Sequence, residues 1–323
     1  MTRLLLTGAT GFVGGRTARR LLTSGHEVVA PVRTTSAELA TMGAEQHLGG
    51  FDAVTPQLLA DVEVIVHAAA TVGPDLAKAT AVNVDGTRRV WELGQTVGTP
   101  RFVHVSTTSV YAPHPDEPVV DEEAPLVGDE AGGSLSGDDD PGPYARTKAA
   151  AERLLPTGST ASGLTILRPP AVLGAGATST WGRRVPAAIR DGRGFPQPRA
   201  ATFAFVHVED LVDAVLAAAG IAPAGIGGGA DAGRAGRRTD PPIVANVVGG
   251  HVRVGDYLDA VVALLPCEIT ARPGTDGTGW TGRYATDRLP RHLGVAPHRS
   301  FRSAMAEIAA DWADRPDDQE IPG

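Results

Sequence analysis

Short apolar runs at residues 4–6, 28–32, 62–66, 102–105 and 164–167 punctuate the first half of the chain. Between them lie stretches such as 16–22 and 84–93, whose apolar residues recur at helical spacing. The strand runs lack polar alternation, as expected of a sheet buried on both faces. Strand alternating with helix implies right-handed crossovers. The expected fold class is therefore α/β, built on a doubly wound parallel sheet.

After about residue 168 the pattern loosens. A Pro/Gly-rich stretch at 168–176 leads into 181–190 and then into 192–199, rich in Gly, Pro and Arg. A strand and helix are expected at 203–219, a strand at 243–248 and a helix around 256–265. Residues 220–240 are Gly/Ala-rich without periodicity and read as a flexible surface insertion, with an ordered lid as the alternative. Residues 112–142 form a long acidic stretch. It reads as a solvated excursion or as a mobile wall over a substrate pocket.

The first run ends in Thr7-Gly8-Ala9-Thr10-Gly11-Phe12-Val13-Gly14. Between a strand and a helix, these glycines have separate uses. Gly8 permits a tight turn, Gly11 lets backbone N–H groups approach a pyrophosphate, and Gly14 lets the helix lie close to the sheet. The helix amino terminus then faces the phosphates. Dinucleotide binding is the expectation. Further along, Tyr144-Ala-Arg-Thr-Lys148 places a phenol and an ammonium one helical turn apart. A cation beside a phenol favours the phenolate and suits it to proton transfer. The strand run from residue 102 ends in four hydroxyl residues, Ser106 to Ser109, where ligands bind in open α/β sheets.

Composition narrows the field. The 323 residues carry a formal charge of -8 with a pI near 5.6, which disfavours nucleic acid or an anionic membrane as partner. Cys267 is the only cysteine, so neither an intrachain disulfide nor a cysteine-based metal site is expected. Cys267 reads as an inert core thiol. His207, Glu209 and Asp210 are closely spaced, but at a strand–helix junction the carboxylates are expected to cap a helix at 211–219 rather than bind metal. No apolar run approaches the roughly 20 residues of a spanning helix. The expectation is a soluble, cytoplasmic protein.

In this order the motifs resemble the extended short-chain dehydrogenase/reductases, which include the NAD-dependent epimerase/dehydratases. The resemblance rests on the glycine turn, His67-Ala-Ala-Ala70, Asn83-Val-Asp-Gly-Thr87, Ser106 to Tyr111, Tyr144 to Lys148, Leu167-Arg-Pro-Pro-Ala-Val-Leu-Gly174 and Phe205-Val-His-Val-Glu-Asp210. It implies a Rossmann domain at 1–168, with strand and helix returns near 203–219 and 243–248. Residues 169–323 are then mainly a smaller substrate-binding lobe. It further implies Tyr144 as catalytic acid/base and Lys148 as the residue that holds the nicotinamide ribose and lowers the tyrosine pKa. Thr107, with Ser106 as its neighbouring alternative, would hydrogen-bond the substrate oxygen, and Asn83 would order the helix near the lysine. The expected cofactor contacts are Gly8, Thr10, Gly11, Phe12, Val13, Gly14, Arg33, Ala68, Ala69, Ala70, Tyr144, Lys148, Pro169 and Pro170. His67 is expected to pack beneath the cofactor and not to act as a catalyst.

Where NAD-binding members end the second strand in an acid, this chain has Val32 followed by Arg33. A guanidinium without a carboxylate suits a 2′-phosphate. NADP(H) is expected in preference to NAD(H), with Arg16 as a further candidate cation. Gly50 stands where the family has an acid near the adenine, and Asp52 is the nearest replacement. Phe203 and Ala204 stand where nucleotide-sugar enzymes of the family carry an Arg-Asp pair; Arg199 is out of register. The look is closer to the hydroxysteroid dehydrogenase and dihydroflavonol reductase branch. That implies a ketone/alcohol oxidoreductase acting on a small, fairly apolar molecule. The alternatives are a nucleotide-sugar epimerase or dehydratase with tightly bound NAD, and a non-catalytic nucleotide-binding sensor or scaffold. The expected partner is a small-molecule substrate; a homodimer is left open.

Overall fold

The computed structural model describes residues 1–113, 116–129, 141–156, 163–222, 242–265 and 273–314. Cys267 and most of the 220–240 insertion lie outside them, as does the 130–140 part of the acidic stretch. The strands in chain order are β1 (Arg3–Thr7), β2 (Glu27–Val32), β3 (Glu45–Leu48), β4 (Val64–His67), β5 (Arg101–Val105), β6 (Val119–Val120), β7 (Leu164–Arg168), β8 (Ala171–Leu173), β9 (Thr202–His207), β10 (Ile243–Asn246), β11 (Gly250–Arg253) and β12 (Arg283–Tyr284). Seven of them form one parallel sheet in the order β10-β7-β5-β4-β1-β2-β3. This is the doubly wound, Rossmann-like sheet expected from the apolar runs. Its strand order turns back between β1 and β4, the place where such sheets open a crevice at their carboxyl ends.

Leu5, Val29 and Ile65 point to one face of the sheet, where they pack with Val90, Trp91 and Leu155. Leu4, Leu6, Val28 and Val66 point to the other, against the helices Phe12–Thr23 and Val208–Ala218. A second core lies beside this one. β8, β9 and β11 form a small sheet whose Phe203 ring stacks on Tyr257 at 4.3 Å, with Leu258, Ile308 and Trp312 closing the cluster. β6 pairs with β12, so part of the acidic stretch is ordered against the carboxyl-terminal half.

Sequence periodicity missed β3, β6, β8, β11 and β12, and with them the helices Arg288–Leu293 and Phe301–Asp314. β3 reads Glu-Gln-His-Leu and sits at the sheet edge, so it needs no apolar run. The expected helix at 84–93 forms as Gly86–Val97, preceded by a wide helical turn at Thr80–Asp85 that holds Asn83.

The helix Gly142–Leu154 fixes the site. Pro143 opens it, where its missing N–H costs no helical hydrogen bond. Ala145, Ala149 and Ala151 are buried in it, so small side chains let the helix lie close to its neighbours. Near its end Glu152 forms a buried pair with Arg168 of β7 at 2.6 Å. Arg168 also donates to the Tyr111 hydroxyl (3.1 Å) and to the Glu122 carbonyl (3.0 Å). Removing one member of such a pair strands a charge without water. Arg168→Met is therefore expected to cost about 3–5 kcal/mol. The double variant Arg168→Met, Glu152→Leu should recover much of that loss. Urea unfolding of the three proteins, extrapolated to zero denaturant, checks both statements.

Candidate active site

β1 and its turn form one wall. Gly8 has φ of +71°, and a Cβ on it would stand 2.7 Å from the Ala69 nitrogen in the loop after β4. A Cβ on Gly14 would overlap the Gly8 carbonyl oxygen. The helix starting at Phe12 has Gly11 at its N-cap, with no side chain capping it and no acid in its first turn. The turn is thus a cradle of bare backbone at a helix amino terminus, and the donor set fits a pyrophosphate. Thr10 and Gly11 are exposed there, with Val13 half-buried. The Phe12 side chain turns away, packing near Gly174 and Gly176. Ala68, Ala69 and Ala70 border the cradle from the end of β4.

Beneath it His67 is fully buried. Thr7 Oγ1 lies 2.9 Å from His67 Nδ1, and Thr87 Oγ1 lies 2.9 Å from Nε2. Thr7 Oγ1 accepts from Ala69 N–H and Thr87 donates to the Asn83 carbonyl. The hydrogen bonds therefore run in one direction, from Thr7 through the ring to Thr87. Burial first, and the charge of Lys148 second, push the His67 pKa down to about 3, so the ring stays neutral.

The other wall carries the candidate chemistry. Tyr144, Lys148 and Glu152 recur every fourth residue on one face of their helix. They engage three consecutive residues at the end of β5. Lys148 Nζ donates to the Val105 carbonyl at 2.8 Å, Ser106 Oγ donates to Glu152, and the Thr107 hydroxyl bonds the Tyr144 phenol. Ser106 is thus committed to the buried ion pair, and Thr107 is the hydroxyl that meets the tyrosine. Thr107 also caps the turn after β5, accepting from Ser109 N–H at 3.1 Å.

One expectation about this set changes. The sequence placed the ammonium as the influence that lowers the phenol. Lys148 is instead turned onto β5, where His104 Nε2 lies 3.1 Å from Nζ. Loss of water raises the Tyr144 phenol above its ordinary pKa, with the bond to Thr107 opposing. Burial also lowers Lys148, to about 8, with Glu152 opposing. Asn83 lies where the sequence put it, against the helix next to the lysine: it brackets Thr71 N–H and C=O and donates to Thr147 Oγ1 at 2.9 Å. It ties the loop after β4 to the helix that carries Tyr144 and Lys148. Glu152 and His104 were missed. Glu152 was legible as the next step of the four-residue spacing; His104 was hidden in an apolar strand.

Among the cations, Arg33 follows the end of β2 exposed and without a polar partner among the described residues. Arg16 is not available as a second one: it pairs with Glu209 at 2.9 Å and donates to the Ala175 carbonyl. Arg199 is likewise held, by Asp259 at 2.6 Å and by the Pro273 and Gly255 carbonyls. The helix expected to be capped by carboxylates is capped by His207, whose Nδ1 accepts from Glu209 N–H at 3.1 Å. Glu209 pairs with Arg16 and Arg20, and Asp210 with Arg299. No cluster able to hold a metal occurs among the described residues. Pro169 follows β7, its carbonyl accepting from Thr108 N–H at 2.9 Å, and Pro170 is half-buried beside it. Close by, the Tyr284 phenol bonds Thr108, with its ring 5.7 Å from Tyr111 and 5.1 Å from Trp280.

A model of the NAD dependent epimerase/dehydratase family matches residues 4–226. The chain belongs to that family. Its members use NAD(P), and it lies within the extended short-chain dehydrogenase/reductases, as the motifs indicated. A 2-alkyl-3-oxoalkanoate reductase of Stenotrophomonas maltophilia is 35% identical over 54% of this chain, a match that spans about half (52%) of that relative's length. A 3-diazoavenalumate denitrifying reductase of a Streptomyces species is 30% identical over 67% of this chain and 71% of its own. In fold, the family member resembles MoeE5 in complex with UDP-glucose and NAD, with a TM-score of 0.74, 23% identity and coverage of 98% of this chain and 99% of that one. Among the described residues no helix is long and apolar enough to cross a membrane.

The cradle makes a sharp test, because two neighbouring glycines differ. Gly14→Ala forces backbone apart and is expected to weaken cofactor binding at least about tenfold, near 1.4 kcal/mol. At Gly15 an added Cβ would meet only the Ala9 carbonyl oxygen, at 3.4 Å. Gly15→Ala should leave binding unchanged and raise stability by up to about 1 kcal/mol through helix propensity. Cofactor titration and thermal melting of both variants measure the contrast.

Proposed function

We propose that this protein is an NADP(H)-preferring oxidoreductase that reduces a ketone, or oxidises a secondary alcohol, on a small and fairly apolar molecule. The observation that carries the reading is the contact of Thr107 with Tyr144, one turn from Lys148, at the carboxyl end of β5. A non-catalytic binder has no use for that set. When bound, the nicotinamide supplies or accepts the hydride. The chain's own residues do the rest. Thr107 and Tyr144 hold the substrate oxygen, and Tyr144 donates the proton to it in the reductive direction. Lys148, Ala68, Ala69, Ala70, Pro169 and Pro170 orient the cofactor, and the glycine cradle holds its pyrophosphate.

The substrate class is supported by the residue types of β9 and by the ring that bonds Thr108. β9 presents Phe203 and Ala204, both buried, where a diphosphate-binding pair would stand, and Arg199 is neutralised by Asp259. Tyr284 puts an aromatic ring beside Thr108, and Trp280 lies against that ring. Two relatives named as reductases point the same way. A second reading, a nucleotide-sugar epimerase or dehydratase, is favoured by the whole-length likeness to MoeE5. In that reading the cofactor is returned oxidised, so net nicotinamide turnover separates the two. The direct experiment follows NADPH and NADH by absorbance over a panel of ketones, aldehydes and nucleotide sugars. Net oxidation with a ketone is expected. Sugar interconversion without net oxidation would favour the second reading.

Tyr144→Phe removes the proton donor and little volume. Turnover is expected to fall by about 10²–10⁴-fold while cofactor affinity stays within a factor of about three. Turnover close to wild type would take Tyr144 out of the mechanism. For the cofactor, a charge-assisted bond of roughly 1.5–3 kcal/mol from Arg33 to the 2′-phosphate gives about one to two orders of magnitude in affinity. Arg33→Ala should remove most of the NADPH preference and leave NADH binding unchanged. Fluorescence titration of both cofactors against both proteins decides it, and a wild type that prefers NADH would reverse the assignment.

A further inference from the structure

His104 lies in the middle of β5, fully buried, on a strand where Val103 beside it is apolar. An imidazole there is costly unless its polar atoms are used. Lys148 Nζ lies 3.1 Å from Nε2, and an ammonium can only donate, so Nε2 is the acceptor and the ring proton is on Nδ1. Among the described residues that Nδ1 finds no hydrogen-bond partner. One ring nitrogen is thus left unsatisfied while the other takes a single bond, to the lysine. The ring has little freedom to turn. It stacks on His67, with centroids 5.5 Å apart and planes 17° from parallel, and His67 is itself pinned by Thr7 and Thr87.

We propose that His104 is a positioning residue: a rigid neutral acceptor that, with the Val105 carbonyl, fixes two of the three Lys148 N–H bonds and leaves the third for the cofactor's ribose. The titratable groups that act with this ammonium are His104 and His67 from the strands and Glu152 from its own helix, while Tyr144, one turn away on that helix, bonds Thr107. Of these, Glu152 favours the charged form but is shared with Arg168 and Ser106. Both imidazoles are kept neutral by burial and by Lys148, so the acceptor persists throughout the physiological range. A leucine or phenylalanine at position 104 would fill the space and leave the ammonium one acceptor short. The neutral amine would then be favoured, and the lysine would lose its proton at lower pH.

The chain contains only two lysines, Lys78 and Lys148, which makes the test direct. Protein grown on lysine isotopically labelled at Cε gives two NMR signals, and Lys78→Arg removes the other one. The Lys148 signal is followed against pH in the protein without cofactor, in wild type, His104→Phe and His104→Gln. The wild-type midpoint is expected at about 8. In His104→Phe it should fall by about one pH unit, the scale of one hydrogen bond to a charge. In His104→Gln, whose amide reaches the Nε2 position with an oxygen, it should return to within a few tenths of wild type. Should His104→Phe not fold, His104→Asn replaces it, because its shorter amide stops short of the ammonium. An unmoved midpoint in His104→Phe, or a glutamine variant displaced as far as the phenylalanine one, overturns the proposal. The inference deepens the oxidoreductase reading, but its readout involves no turnover, so either can fail without the other.

Discussion

A lysine ammonium cannot be taken out of water unless acceptors replace the water, and the carboxyl end of this sheet is arranged around that requirement. Lys148 has only 1% of its surface exposed. Its acceptors come from β5, its orientation from a helix whose buried alanines allow close approach, and its electrostatic counterpart from Glu152 one turn on. Glu152 in turn needs Arg168, and Arg168 reaches Tyr111 and Glu122. The polar interior is one connected assembly running from the glycine turn through His67 and His104 to β7. Apolar packing on both sheet faces keeps water from competing with it.

How far this was legible in the sequence depended on whether a residue acts through spacing or through space. The parallel sheet was legible because β1, β4, β5 and β7 are largely apolar and lack polar alternation. β3 was not, because an edge strand made of Glu45, Gln46 and His47 has no apolar period. Tyr144 and Lys148 were visible as a four-residue step. The choice between Ser106 and Thr107 was not settled by sequence spacing, since it turns on which hydroxyl faces Glu152 across 46 positions of chain. The same holds for the arginines. Arg16 and Arg33 look alike beside a nucleotide motif, and Glu209, 193 positions away, is what distinguishes them.

Family membership and local chemistry answer different questions here. The glycine turn, Tyr144 and Lys148 are the motifs that carry the resemblance to the family. The features particular to this chain lie elsewhere: Phe203 and Ala204 in β9, an Arg199 held by Asp259, and the Tyr284 ring bonded to Thr108. A fold hosts many substrates, and discrimination among them resides in such grafted positions.

The sheet ends differently at its two sides. At β3, Arg3 forms ion pairs with Glu27 and Glu45 across three strands, and His47 Nε2 lies 2.7 Å from Glu45 Oε1. At β10 the Asn246 N–H, on the outermost strand, is taken by the buried Glu122 carboxylate at 2.9 Å, and the Asn246 amide side chain donates to the Ala285 carbonyl. One margin is charged and the other is stoppered by a side chain. Both are recognised guards against strand-to-strand recruitment. A parallel sheet forms its long-range pairings slowly, which prolongs the exposure of its margins while it assembles. Margins built this way offer a passing strand little free backbone to pair with.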